Sequence, residues 1–210
     1  MLQVIRDEFV AAAQVAAELL RDPAVAKNWG EPSALAEFGV AGLAGHLGYQ
    51  VIAVPEILDA PAPAEEKVDV LTHFQRVPWI GADVHDEFNV RVRDGGEKLA
   101  ADGPDALVQR VDQAVEQLDR LADAPDRPAR MPSWGPWSVS LDELILTRLI
   151  EVTVHVDDLA ISVGVPTPTL PGIDIVASTL AKIAVRRHGE VAVLRGLSRS
   201  ERAPLSISAF

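Results

Sequence analysis

The sequence predicts an all-α protein built as a helical bundle, and three observations carry that reading. Long segments repeat apolar residues every three to four positions, no segment shows the alternation of a strand, and no internal repeat divides the chain. With 210 residues and 48% hydrophobic content there is enough apolar material for one sizeable core.

The elements follow in order. Val4, Ile5, Phe9, Ala12, Ala16, Leu19 and Leu20 place one apolar face on a helix from about Leu2 to Arg21, which stops before Asp22-Pro23. After the loop Asn28 to Ser33 a second helix is expected from Ala34 or Val40 to Val54, with Val40, Leu43, Leu47, Val51 and Val54 inside and Pro55 ending it. A Pro/Ala-rich connector begins at Asp59. Helices from Val68 to Val77 and from Ile80 to Leu99 come next, separated at Pro78, and Gly95-Gly96 reads as a turn. A further helix spans Ala106 to Leu121 with Leu107, Val111, Val115 and Leu118 inside, and Ala124 to Trp137 is a Pro-rich loop. Ser140-x-x-Glu143 has the form of a capping box and opens a long helix to about Val163. After a Pro-rich link, helices from Asp174 to His188 and from Glu190 to Leu197 precede an irregular or extended tail, Leu205 to Phe210.

Charge and cysteine content narrow the function. The net charge of -12 disfavours nucleic acid and anionic membrane surfaces as partners. The absence of cysteine removes disulfides, thiolate metal sites and cysteine nucleophiles, so any thiol chemistry needs an external thiol. The N-terminus carries acids where a signal peptide has its basic region, and no apolar run approaches the roughly 18 residues of a membrane helix, so the expected location is cytoplasmic.

The long helix after Ser140 carries the most informative pattern. Glu151 and His155 lie one helical turn apart on one face and can grip a single ion. Leu144, Arg148, Glu151, His155 and Asp158 continue that face, and such groups cannot be buried unpaired. Two readings satisfy this. In one, Arg148 and Glu151 form an i,i+3 salt bridge and His155 bonds a neighbour. In the other, Glu151 and His155 bind a metal, His46 of the second helix is the third ligand, and Arg148 and Asp158 orient the ligands from behind. Two histidines and one carboxylate would leave coordination positions open, as catalytic sites do. Zinc suits these donors, and nickel, iron or manganese would accept them.

Three segments, Trp29 with Pro32-Ser33, Val40-Ala-Gly-Leu-Ala-Gly-His46-Leu47, and Thr147 to Leu159, resemble the mycothiol-dependent maleylpyruvate isomerase family within the DinB-like superfamily of metal-binding four-helix bundles. The resemblance covers about residues 1 to 165, leaving 166 to 210 as a C-terminal helical extension packed on the bundle within a single domain. It implies that His46, Glu151 and His155 hold a divalent metal, usually zinc. It also implies mycothiol as the thiol cosubstrate and S-transfer or isomerisation of a small electrophile. The isomerase itself has an α/β C-terminal domain that a helical tail does not replace. A hydrolase using metal-bound water and a non-catalytic helical binding protein are the alternatives, and either a monomer or a homodimer is compatible with the pattern. Of the other residues, His85 reads as solvated and His73 and His188 as surface groups, while Trp134 and Trp137 either form a lid or seal the bundle end.

Overall fold

The computed structural model describes residues 2–210. Helix α1 (Leu2–Leu20) turns its Phe9, Ala12, Ala13 and Ala16 face fully inward, and Asp22 caps the short α2 (Pro23–Lys27) by accepting from the Ala24 amide. Helix α3 (Val40–Asp59) does not end at Pro55 but runs four residues past it. Proline removes one internal hydrogen bond. Against that, Ile57 is buried and Arg127 donates to the carbonyls of Ile57, Leu58 and Ala60 at 2.8, 3.1 and 2.9 Å, satisfying the end of the helix.

Helix α4 (Val70–Arg76) is capped by Asp69. The helix expected from Ile80 starts only at Glu87, where Asp86 caps it, and α5 (Glu87–Ala100) passes straight through Gly95-Gly96. That pair is no turn. A Cβ on Gly96 would stand 2.3 Å from the Gly42 carbonyl oxygen, and one on Gly45 would stand 2.1 Å from that of Gly96, so α3 and α5 touch backbone to backbone. Helix α6 (Pro104–Val115) is shorter than expected, with a separate single turn at Leu118–Leu121 completing its apolar face.

Three short strands accompany the helices and leave the all-α class intact: β1 (Glu66–Lys67), β2 (Pro128–Ala129) and β3 (Trp137–Ser140). β3 lies in the middle, parallel to β1 and antiparallel to β2. β3 leads directly into α7 (Leu141–Val163), whose capping box closes as predicted: Ser140 accepts from the Glu143 amide and Glu143 accepts from the Ser140 amide. Gly164, in the left-handed region at φ 73°, ends α7.

Helices α1, α3, α6 and α7 form the four-helix bundle and share one apolar core, with α5 laid on α3. Helices α8 (Ile173–His188) and α9 (Glu190–Ser198) follow, with α8 against α4 and α7. The tail returns to the bundle, where the Phe210 ring meets Trp79 at 4.8 Å and Phe74 at 5.6 Å. Among the described residues, no helix is long and apolar enough to cross a membrane.

Candidate metal centre

Helices α3 and α7 pack against each other, and their polar residues meet at one place. His46 projects from α3 and Glu151 and His155 from α7, so that one ligand atom from each lies within 4.8 Å of the others. Glu151 Oε2 stands 3.3 Å from His155 Nε2 and 3.6 Å from His46 Nε2. The imidazole rings meet edge to face at 4.8 Å, and the Phe38 ring lies 6.1 Å from that of His46. The three side chains are 15 to 16% exposed, enough for a small ligand to reach them and too little for them to be freely solvated.

Neighbouring groups fix each of the three. Asp158 Oδ2 accepts from His155 Nδ1 at 3.0 Å, which turns Nε2 toward Glu151. Gln50, buried one turn beyond His46, gives its amide oxygen to the Arg148 guanidinium. Its nitrogen therefore faces His46, donating to the His46 carbonyl at 3.0 Å and standing 3.1 Å from Nε2. With a donor there, His46 Nε2 is the unprotonated nitrogen, the form that binds a metal. Sequence reasoning passed over Gln50. Its signal was the same i,i+4 spacing from His46 that linked Glu151 to His155.

Arg148 lies close by but not where the salt-bridge reading put it. Its Nε donates to Thr147 Oγ1 at 3.2 Å and its NH1 to Gln50, so it braces the helix carrying His46 and acts on Glu151 only through its charge.

The electrostatics follow. Burial favours the neutral form of Glu151, but the hydrogen bond from His155 and the charges of Arg148 and His155 outweigh it and hold the carboxyl well below its usual range. Burial also opposes a charge on His155, yet Asp158 and Glu151 overcome it and raise the imidazole to about 9. For His46 burial wins and the imidazole is pushed down.

The donor set fits a metal ion. A tetrahedral ion with bonds of about 2.1 Å keeps neighbouring donors about 3.4 Å apart, close to the 3.3 and 3.6 Å seen between Glu151 and the two imidazoles. Two nitrogens and one oxygen are borderline-hard donors suited to zinc, and three protein ligands leave positions free.

The remaining candidates separate cleanly. His85 is exposed, as expected, and His188 is half-buried with Nε2 2.8 Å from the Ser208 carbonyl. His73, expected at the surface, is only 2% exposed. Its ring is covered by Trp134 at 3.9 Å and accepts at Nδ1 from Trp137 Nε1 at 3.0 Å. Trp137 is core and Trp134 covers His73, so this pair seals the α4 end of the bundle. A helix of about two turns, too short to show periodicity, hid the burial of His73. Burial, reinforced by the Arg148 charge, pushes that imidazole down to about 3.

Comparison with known proteins finds one relation. No curated protein and no solved structure matches the chain. Residues 9–160, from within α1 through nearly all of α7 and including all three candidate ligands, match the mycothiol maleylpyruvate isomerase N-terminal domain. The chain belongs to that family of DinB-like helical domains, whose members are associated with a metal and with mycothiol.

Proposed function

We propose that the protein is a metal-dependent thiol enzyme, in which His46, Glu151 and His155 hold a divalent ion, zinc by the chemistry of the donors, and a small thiol is delivered to a small electrophile. The observation that carries this is the convergence of two imidazole nitrogens on one carboxylate oxygen, each at metal-ligand spacing, from two helices far apart in sequence. The family points to mycothiol as the thiol. When bound, such an ion lowers the pKa of a coordinated thiol, so that the nucleophile is a thiolate near neutral pH. The chain has no cysteine of its own, which leaves the sulfur to the cosubstrate.

The protein's part is to hold and orient. Glu151 brings the negative charge, Asp158 aims His155 Nε2 inward, and Gln50, held by Arg148, keeps His46 Nε2 free of a proton. Phe38 beside His46 lends an apolar wall that shields the site from bulk water. The test is metal content by elemental analysis on wild type and His155→Ala after gel filtration, followed by product analysis with a test electrophile, with and without mycothiol. One ion per chain, lost in the variant, with turnover only when thiol is present, is the expected result. Turnover without thiol would indicate a hydrolase, and no metal in either protein would reduce the cluster to a buried polar network.

A further inference from the structure

Helices α8 and α9 are joined by Gly189 alone and pack on each other, and between them runs an open groove of about 620 Å³. Its walls follow helical spacing: Ala181 and Val185 on α8, Val193, Leu194 and Leu197 on α9, with Leu71 of α4 at one edge. Val193 is buried, but Leu194 and Leu197 are 66 and 69% exposed. Of the eight large apolar side chains exposed among the described residues, four, Val191, Leu194, Leu197 and Leu205, fall between positions 191 and 205. Single exposed leucines are ordinary, whereas a contiguous set marks a binding face. The tail of the chain is spent elsewhere: Ile207 lies against Gly196 on the opposite side of α9, where a Cβ would come within 2.9 Å of it, and Phe210 continues to Trp79.

Charge identifies the occupant. Between Ser178 and Arg202 stand six basic residues, Lys182, Arg186, Arg187, Arg195, Arg199 and Arg202, against two acids, Glu190 and Glu201, in a chain whose net charge is -12. Lys182 and Arg186 border the groove on α8, and Arg195 and Arg199 follow one position behind Leu194 and Ser198 on α9. None of the six makes an ion pair among the described residues, and Arg186 donates to the neutral Gln75 Oε1 at 3.1 Å. A second copy meeting this face symmetrically would set basic against basic, and an anionic bilayer would meet the acidic remainder of the protein. An acyl chain needs an enclosure that walls with two such exposed leucines do not give. The complement is a helix whose apolar stripe covers Leu194 and Leu197 and whose flanking acids meet the basic side chains. Helix α9 is about 13 Å long, which matches two to three turns of such a partner.

We propose that the α8–α9 groove docks an acidic amphipathic helix of another protein. The groove lies beyond residues 9–160, which carry the family match, and its occupancy does not depend on the metal reading.

The probe is a fluorescein-labelled synthetic peptide of about 15 residues, built of Leu, Ala and Glu with Leu at helical spacing, together with its twin carrying Lys for Glu. Each is titrated with the full chain by fluorescence anisotropy. The Glu peptide is expected to bind about tenfold more tightly than the Lys peptide, against the sign of the protein's net charge, and to weaken as salt rises. Leu194→Ser with Leu197→Ser, and separately Lys182→Glu with Arg186→Glu, are each expected to cost about tenfold in affinity. All four positions are exposed, so circular dichroism and zinc content should stay as in wild type. No saturable binding of the Glu peptide by about 1 mM overturns the proposal, as does equal binding of the Lys peptide or binding that neither double variant weakens. Dimerisation in sedimentation velocity that Leu194→Ser with Leu197→Ser removes would overturn it in favour of a second copy. Flotation with phosphatidylglycerol vesicles that Lys182→Glu with Arg186→Glu removes would overturn it in favour of a membrane surface.

Discussion

His155 and His73 are both drawn into the bundle, yet His155 is held as a cation up to about 9 while His73 stays neutral down to about 3. Burial pushes both the same way. The difference lies in their neighbours: His155 stands between the carboxylates of Glu151 and Asp158, whereas His73 lies between two indoles and feels the positive charge of Arg148. One end of the α7 stripe therefore sets two carboxylates around an imidazole, the negative surroundings that favour a bound cation, whether a proton or a metal ion. The other end keeps an imidazole neutral, with burial and the Arg148 charge both opposing its protonation. What an imidazole does in this fold is set by which residues reach it, and depth alone does not decide it.

The largest effect that would break this contrast comes from Glu151→Gln. Losing the shared carboxylate removes a ligand and the negative charge that stands between two imidazoles, so metal content is expected to fall from about one per chain to none by elemental analysis. In the metal-free variant the His155 imidazole drops from about 9 toward its ordinary 6.5, read by NMR titration of the ring protons. An unchanged titration would mean that Asp158 alone makes His155 a cation.

Acid sensitivity comes next. The unfolded chain binds a proton at His73 below about 6.5, while the folded chain does not until about 3. The stability that His73 contributes is thus complete above 6.5 and falls as pH drops through the window from 6.5 to 3. At about 1.4 kcal/mol per pH unit, wild type should lose about 2 kcal/mol more between pH 7 and pH 5 than His73→Gln, whose amide oxygen still accepts from Trp137. Urea unfolding at the two pH values measures it, and parallel losses in both proteins would place the acid sensitivity elsewhere. The smallest effect is expected from Trp137→Phe, which deletes the donor to His73 Nδ1 and should cost about 1 kcal/mol at pH 7. Its more useful readout is the tautomer of His73 by nitrogen-15 NMR, which should change from a single form to a mixture.

The two ends of the stripe also differ in how much of them could be read from sequence. Glu151, His155 and Asp158 lie within two turns of one helix, so spacing alone puts them together, and Ser140 with Glu143 announced that helix by its cap. His46 was reachable because a histidine among Val40, Leu43 and Leu47 has to be satisfied by something. The His73 end is assembled from pieces without periodicity: α4, and a β1–β3 pairing two residues long that joins segments about seventy positions apart. Such contacts are set by tertiary packing. Pro55 and Gly95-Gly96 misled for a related reason. Both are breakers locally, and both are overruled by partners distant in sequence: Arg127 at the end of α3, and the backbone of α3 against Gly96.

That last contact has a consequence for how this protein can change over time. Glu151 and His155 keep their spacing as long as α7 remains a helix, whatever surrounds it. His46 keeps its place only because two main chains rest on each other at Gly45 and Gly96, where a methyl group added at Gly96 would also come within 3.2 Å of the His46 amide nitrogen. Ordinary core contacts absorb substitutions by side-chain rearrangement, but a seam with no side chains has nothing to rearrange. The most damaging tolerated-looking changes in this chain are therefore expected at two glycines that carry no chemistry, and inheritance of the site depends on them as firmly as on its ligands.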